Sequence, residues 1–204
     1  MTSARLAAVV VCVSALVACG AAEPIPTVEP AAAPMPTPAS GPVSPDDGDA
    51  PTPYTAAQIR DACRVGRTYE FLIEKPGAPP VRRRMVFVAV SPELATVESV
   101  TLDDKGQALA APERSEASWE ELRRHAAWPR AATTIEVSSA DTPAGTFPCK
   151  RYTVVEKKDG SEERTVACFA EQLPGPPVEL RKEVGGKLVM TMTLLKHDPG
   201  TGAR

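Results

Sequence analysis

From position 67 to 196 the chain repeats one pattern, with apolar residues at every second position in short runs separated by turn residues. That period excludes most folds, because alternation over short segments joined by tight turns specifies antiparallel strands, half-buried and paired with their sequence neighbours. Residues 67–74 set Tyr69, Phe71 and Ile73 on one face, ahead of a Pro-Gly-Ala-Pro-Pro break. Residues 82–90 oppose Met85, Phe87 and Ala89 to Val86, Val88 and Val90, and a third strand over 94–102 closes at Asp103-Asp104-Lys105-Gly106. Further strands are predicted over 133–138, 147–157, 162–169, 178–184 and 187–196. Lys158-Asp159-Gly160 reads as a three-residue hairpin loop and Gly185-Gly186 as a tight two-residue turn. A doubly wound parallel sheet would need helices alternating with these strands, and none are present.

Helical signals are few. A short helix over 55–63 opens the domain. Ser118-Trp119-Glu120-Glu121 has the form of a capping box and predicts a helix running to about Ala127, ahead of Pro129. Trp119, Leu122 and Ala126 share one face at helical spacing, which lays this helix on one side of the sheet. The expected fold is therefore a β-rich α+β domain: a curved, half-barrel-like antiparallel sheet of about eight strands with one helix packed on it. Trp119, Leu122 and Trp128 are the candidate lining of an apolar ligand cleft between helix and sheet. The competing reading is that the tryptophans complete a small core.

The amino end carries an address. One positive charge at Arg5 precedes an apolar run from Leu6 to Val17, too short for the roughly 20 residues that span a bilayer. Leu16-Val17-Ala18-Cys19 resembles the lipobox of bacterial lipoproteins. The resemblance implies a signal peptide over 1–18, cleavage after Ala18 and acylation of Cys19, an anchor far stronger than one fatty chain. Gly20, where an aspartate would signal inner-membrane retention, points to the outer membrane. Residues 19–56 are rich in Pro and Ala, with Pro-x-Pro spacing at Pro24, Pro26, Pro34, Pro36 and Pro38, and read as a disordered tether. The β-rich domain is expected over 57–198, with a disordered tail over 199–204.

Ser118-Trp119-Glu120-Glu121-Leu122-Arg123-Arg124-His125-Ala126, Thr142-Pro143-Ala144-Gly145-Thr146-Phe147-Pro148-Cys149 and Leu173-Pro174-Gly175-Pro176-Pro177, followed by an apolar last strand, resemble a group of uncharacterised bacterial lipoproteins. Their domain is similar to periplasmic half-barrels of the lipoprotein-carrier type. These are turn signatures, so the resemblance implies a fold and carries over no catalytic residue.

Charge and reactive residues narrow the function. The net charge of −3 is concentrated in the tether, which leaves 22 basic and 21 acidic residues from position 58 onward. Nucleic-acid binding, which draws its affinity from phosphate neutralisation, is excluded by that balance. The one basic run, Arg82-Arg83-Arg84, places Arg82 and Arg84 on one face; a contact for anionic head groups competes there with an ordinary solvated strand start. Cys12 fills the apolar leader. Outside the cytosol at least one pair among Cys63, Cys149 and Cys168 is expected to oxidise. Cys149 with Cys168 is the favoured pair, although a three-residue loop would set Cys149 opposite position 169, so that a bulge or another turn is needed. Bridges from Cys63 to either strand cysteine remain open. No metal-ligand spacing involves His125, His197 or the cysteines, no cofactor motif is present, and no nucleophile turn frames a catalytic serine or cysteine. The resulting expectation is a non-catalytic, membrane-anchored envelope lipoprotein that binds a lipid or another apolar ligand. The alternative is a structural or protein-interaction lipoprotein with a filled core.

Overall fold

In a computed structural model, residues 48–202 are described; the leader, Cys19 and most of the tether lie outside them. The chain forms nine strands: β1 (Thr68–Glu74), β2 (Val81–Val90), β3 (Leu94–Leu102), β4 (Glu113–Ser118), β5 (Thr133–Thr142), β6 (Gly145–Lys158), β7 (Ser161–Ala170), β8 (Glu179–Val184) and β9 (Lys187–Asp198). All pair antiparallel in one open sheet of order β4-β3-β2-β1-β9-β8-β7-β6-β5. Helix α1 (Ala56–Ala62) precedes the sheet, and α2 (Trp119–Arg124) with a 3-10 turn at Arg130–Ala132 connects β4 to β5. The half-barrel-like, β-rich expectation holds, with one more strand than predicted.

Because β4 and β5 are the opposite edges of the sheet, the connection carrying α2 must cross its whole inner face. This explains why a six-residue helix, too short to be stable alone, is ordered: its position is imposed by the crossover. Ser118 and Glu121 satisfy each other's backbone amides as the predicted capping box. The helix ends at Arg124, before Ala127, because Ala126 and Ala127 bond three residues back and tighten the chain ahead of Pro129. α1 packs beside α2 and is held by its own capping box between Thr55 and Gln58.

The inner face buries Tyr69, Phe71, Phe87, Val97, Tyr152, Val154, Ala167, Phe169 and Leu194. Phe169 lies at the centre of an aromatic group, with Tyr54, Trp128 and Tyr152 all within 6.1 Å of it between ring centroids.

Three expectations are revised. β4 was absent from the sequence reading, since Glu-Arg-Ser-Glu-Ala-Ser has no apolar alternation; it is an edge strand, exposed over its first four residues and held by its ladder to β3. Asp159 and Gly160 form a two-residue turn between Lys158 and Ser161, both at positive φ (50° and 78°), as the twist-matched hairpin turn requires. The ladder therefore sets Cys149 opposite Ala170, and Arg151 opposite Cys168. The third revision concerns the tether boundary at 57: ordered structure begins at least nine residues earlier. Ala50 donates to the Trp128 carbonyl, Gly48 accepts from Arg130, and Tyr54 is buried. At the other end, Gly202 donates to Val65, so part of the 199–204 tail is seated against the turn before β1.

Candidate functional site

The crossover leaves a groove of about 220 Å³ beneath it, lined by Met85, Phe87 and Val97 of the sheet, Leu122 and Trp128 of the crossover, and Pro176-Pro177 of the β7–β8 loop. Strand alternation turns Met85, Phe87 and Val97 inward, and the α2 cap orients Leu122 toward them. His125 is the one titratable residue on the lining. Such a surface can take up an apolar group and offers no convergent acid, base or nucleophile.

The candidate residues divide here. Leu122 and Trp128 line the groove. Trp119 does not, because its buried indole donates to the Ser91 carbonyl at 3.1 Å and pins the start of α2 to the β2–β3 turn. The proline loop, which the sequence marks as a turn signature but not as cleft lining, joins it through Gly175, Pro176 and Pro177. A Cβ at Gly175 would lie 2.6 Å from the Tyr69 hydroxyl oxygen, and its φ is +153°, so the close approach of this loop to the sheet depends on glycine.

A larger depression of about 830 Å³ lies at the other end of the sheet, between the β1–β2 turn and the segment after β3. Ile73, Pro79, Pro80, Val81 and Leu109 make much of its lining apolar, and Lys75, Arg83, Asp103 and Asp104 add charges of both signs. The arginine run is accounted for by its neighbours. Arg82 and Arg84 share the outer face with the buried Glu70 carboxylate and both pair with it, Arg82 through Nε at 2.7 Å and through its Nη2, Arg84 at 3.5 Å.

Arg67 is only 2% exposed: its Nε donates to His197 Nε2 (3.4 Å), an Nη donates to Cys63 Sγ (3.7 Å), and the guanidinium sits 5.0 Å from the Tyr69 ring centroid. Burial raises the Cys63 thiol above its ordinary value, with Arg67 opposing. Burial and then the Arg67 charge lower the His197 imidazole. Cys149 and Cys168 are 1% and 2% exposed with sulfurs 2.7 Å apart, and burial, followed by the neighbouring Cys168, pushes the Cys149 thiol up to about 12. Among the described residues no three of His, Cys, Asp and Glu converge as a metal site, and no helix is long and apolar enough to cross a membrane.

No protein-family model matches the chain, and no curated protein does. Two solved structures show a weak likeness to the chain. A putative lipoprotein from Parabacteroides distasonis ATCC 8503 shares 10% identity at a TM-score of 0.43, over 67% of this chain and 99% of the other. MucB, in a complex with MucA(peri), shares 9% identity at a TM-score of 0.47, over 73% of this chain and 57% of its own.

Proposed function

We propose that this chain is a lipid-anchored protein of the bacterial envelope, non-catalytic, whose domain captures an apolar side-chain cluster of a partner protein in the groove beneath the α2 crossover. The anchor reading rests on the leader and the lipobox-like Leu16-Val17-Ala18-Cys19, followed by a proline-rich spacer. The observation that carries the binding reading is the groove itself: apolar, bounded by rigid prolines and an indole, and about 220 Å³ in volume. Pockets that enclose a whole small molecule run from roughly 300 Å³ upward, so this one suits one or two side chains better than a complete lipid. Taking a full acyl chain would require α2 or the Pro176-Pro177 loop to move away from the sheet.

Two measurements test this. Intact mass of the detergent-extracted chain is expected to show an amino terminus at Cys19 carrying lipid; a chain starting at Met1 with no lipid mass would overturn the anchor. For the groove, Trp119→Phe leaves Trp128 as the reporter, and its emission is followed while a short Leu-Phe peptide or sub-micellar dodecylphosphocholine is added. Saturable binding of the peptide, weakened about tenfold by Leu122→Gln, supports the reading. Stoichiometric phospholipid in the extracted protein, or saturation by the detergent alone, would replace the protein partner with a lipid.

A further inference from the structure

We infer that Cys149 and Cys168 form a diagonal cross-strand disulfide clamping the β6–β7 hairpin, and that Cys63 is kept as a sealed thiol. The two strand cysteines share one face of the sheet, since Cys149 is opposite Ala170 while Cys168 is opposite Arg151, two positions along the same ladder. Their sulfurs are already 2.7 Å apart, closer than two unbonded sulfurs pack, so closing the bond asks each sulfur to move by only about a few tenths of an ångström. No bulge is needed, because the Asp159-Gly160 turn supplies the register. Cys63 lies at the carboxyl end of α1, where its sulfur accepts from the Arg67 guanidinium, and it is 1% exposed.

The step is an exchange. A disulfide-carrying oxidant, either an oxidised dithiol protein of the envelope or oxidised glutathione in vitro, first forms a mixed disulfide with one of the two cysteines. The thiolate of the other then attacks that cysteine's sulfur and expels the oxidant's thiol. The pair loses two electrons and two protons, and the oxidant's disulfide leaves as two thiols. Formation in the cell rests on the export reading above; the geometry does not.

The test is thiol mapping of the full chain. Cells are quenched with an alkylating agent before lysis, the protein is alkylated again in denaturant so that buried thiols react, and it is digested with trypsin without reduction. Cleavage after Arg64, Lys150, Arg164 and Arg181 puts the three cysteines on separate peptides. The expected result is the 149–168 peptides linked and Cys63 alkylated, with reduction lowering Tm by about 10 °C. A link from Cys63 to either strand cysteine would overturn the inference. If all three are alkylated, the reduced, purified chain is refolded from denaturant in the presence of oxidised glutathione. Formation of the 149–168 link with unchanged circular dichroism upholds the geometry and places the fault in export, whereas no link overturns the inference outright.

Discussion

The Tyr54 hydroxyl donates to the carbonyl of Ala170 at 2.6 Å, across 116 positions of chain. That contact fastens the end of the tether to the carboxyl end of β7, and the Tyr54 ring adds an edge contact with Phe169. Tyr54→Phe keeps the ring and removes the donor. Because Leu173 still donates to Ala170, the carbonyl is not orphaned, and the expected loss is about 1 kcal/mol, read as a Tm drop of roughly 2–4 °C. An unchanged Tm would show that the segment before α1 is seated by packing alone.

Acid should loosen the contact between Arg67 and His197. Burial and then the Arg67 charge hold the folded imidazole below 6.5, with Asp198 opposing more weakly. The unfolded chain therefore binds the proton more readily, and stability falls as pH drops below about 6.5, flattening once the folded value is passed. His197→Gln removes this titration. The Tm difference between pH 7.5 and pH 5 is expected to be smaller in the variant than in the parent; equal differences would remove His197 from the account.

The Glu70 carboxylate neutralises two arginines on the outer face. Glu70→Ala strips both of their partner, at an expected cost of about 1–3 kcal/mol in chemical denaturation. The lower end applies, because Arg82 and Arg84 keep side-chain exposures of 31% and 43% and can turn back to water. A loss above 4 kcal/mol would mean that Glu70 also supports the β1–β9 bulge beside it.

Gly175→Ala tests the close approach that bounds the groove. The added methyl would meet the Tyr69 hydroxyl at 2.6 Å, and Tyr69 is buried and donates to the Pro174 carbonyl. A destabilisation of about 1–3 kcal/mol is expected, partly recovered when Tyr69→Phe removes the opposing oxygen. Additive losses in the double variant would show that the loop yields instead.

What could be read beforehand followed from how strongly each segment's side chains encode its surroundings. β3 was placed to the residue and β9 to within two at its end, because one apolar face of each packs inward. β4 was invisible, since an edge strand of Glu, Arg and Ser pairs through backbone groups that no side-chain pattern reports. The ordered stretch from Gly48 was hidden in the same way: proline-rich chain reads alike whether it is free or seated, and Tyr54 was its one signal. Helical spacing puts Trp119, Leu122 and Ala126 on one face; Leu122 and Ala126 line the groove, whereas Trp119, the first residue of the capped helix, turns its indole to the β2–β3 turn, and Trp128, a candidate for its ring alone, lies beyond the helix end. Pro176-Pro177 lacked any periodic cue, being a loop fixed by contact across the sheet.

The sheet's order also dictates a sequence of assembly. β1 to β4 and β5 to β9 are each a run of neighbouring hairpins, and the only ladder they share is β1 with β9. One central seam thus waits for the last of the nine strands. Until β9 is in place β1–β4 and β5–β8 share no ladder, so deletion of residues 187–198 should leave two half-sheets with no common seam. Closure of the sheet therefore depends on one strand that follows the other eight along the chain.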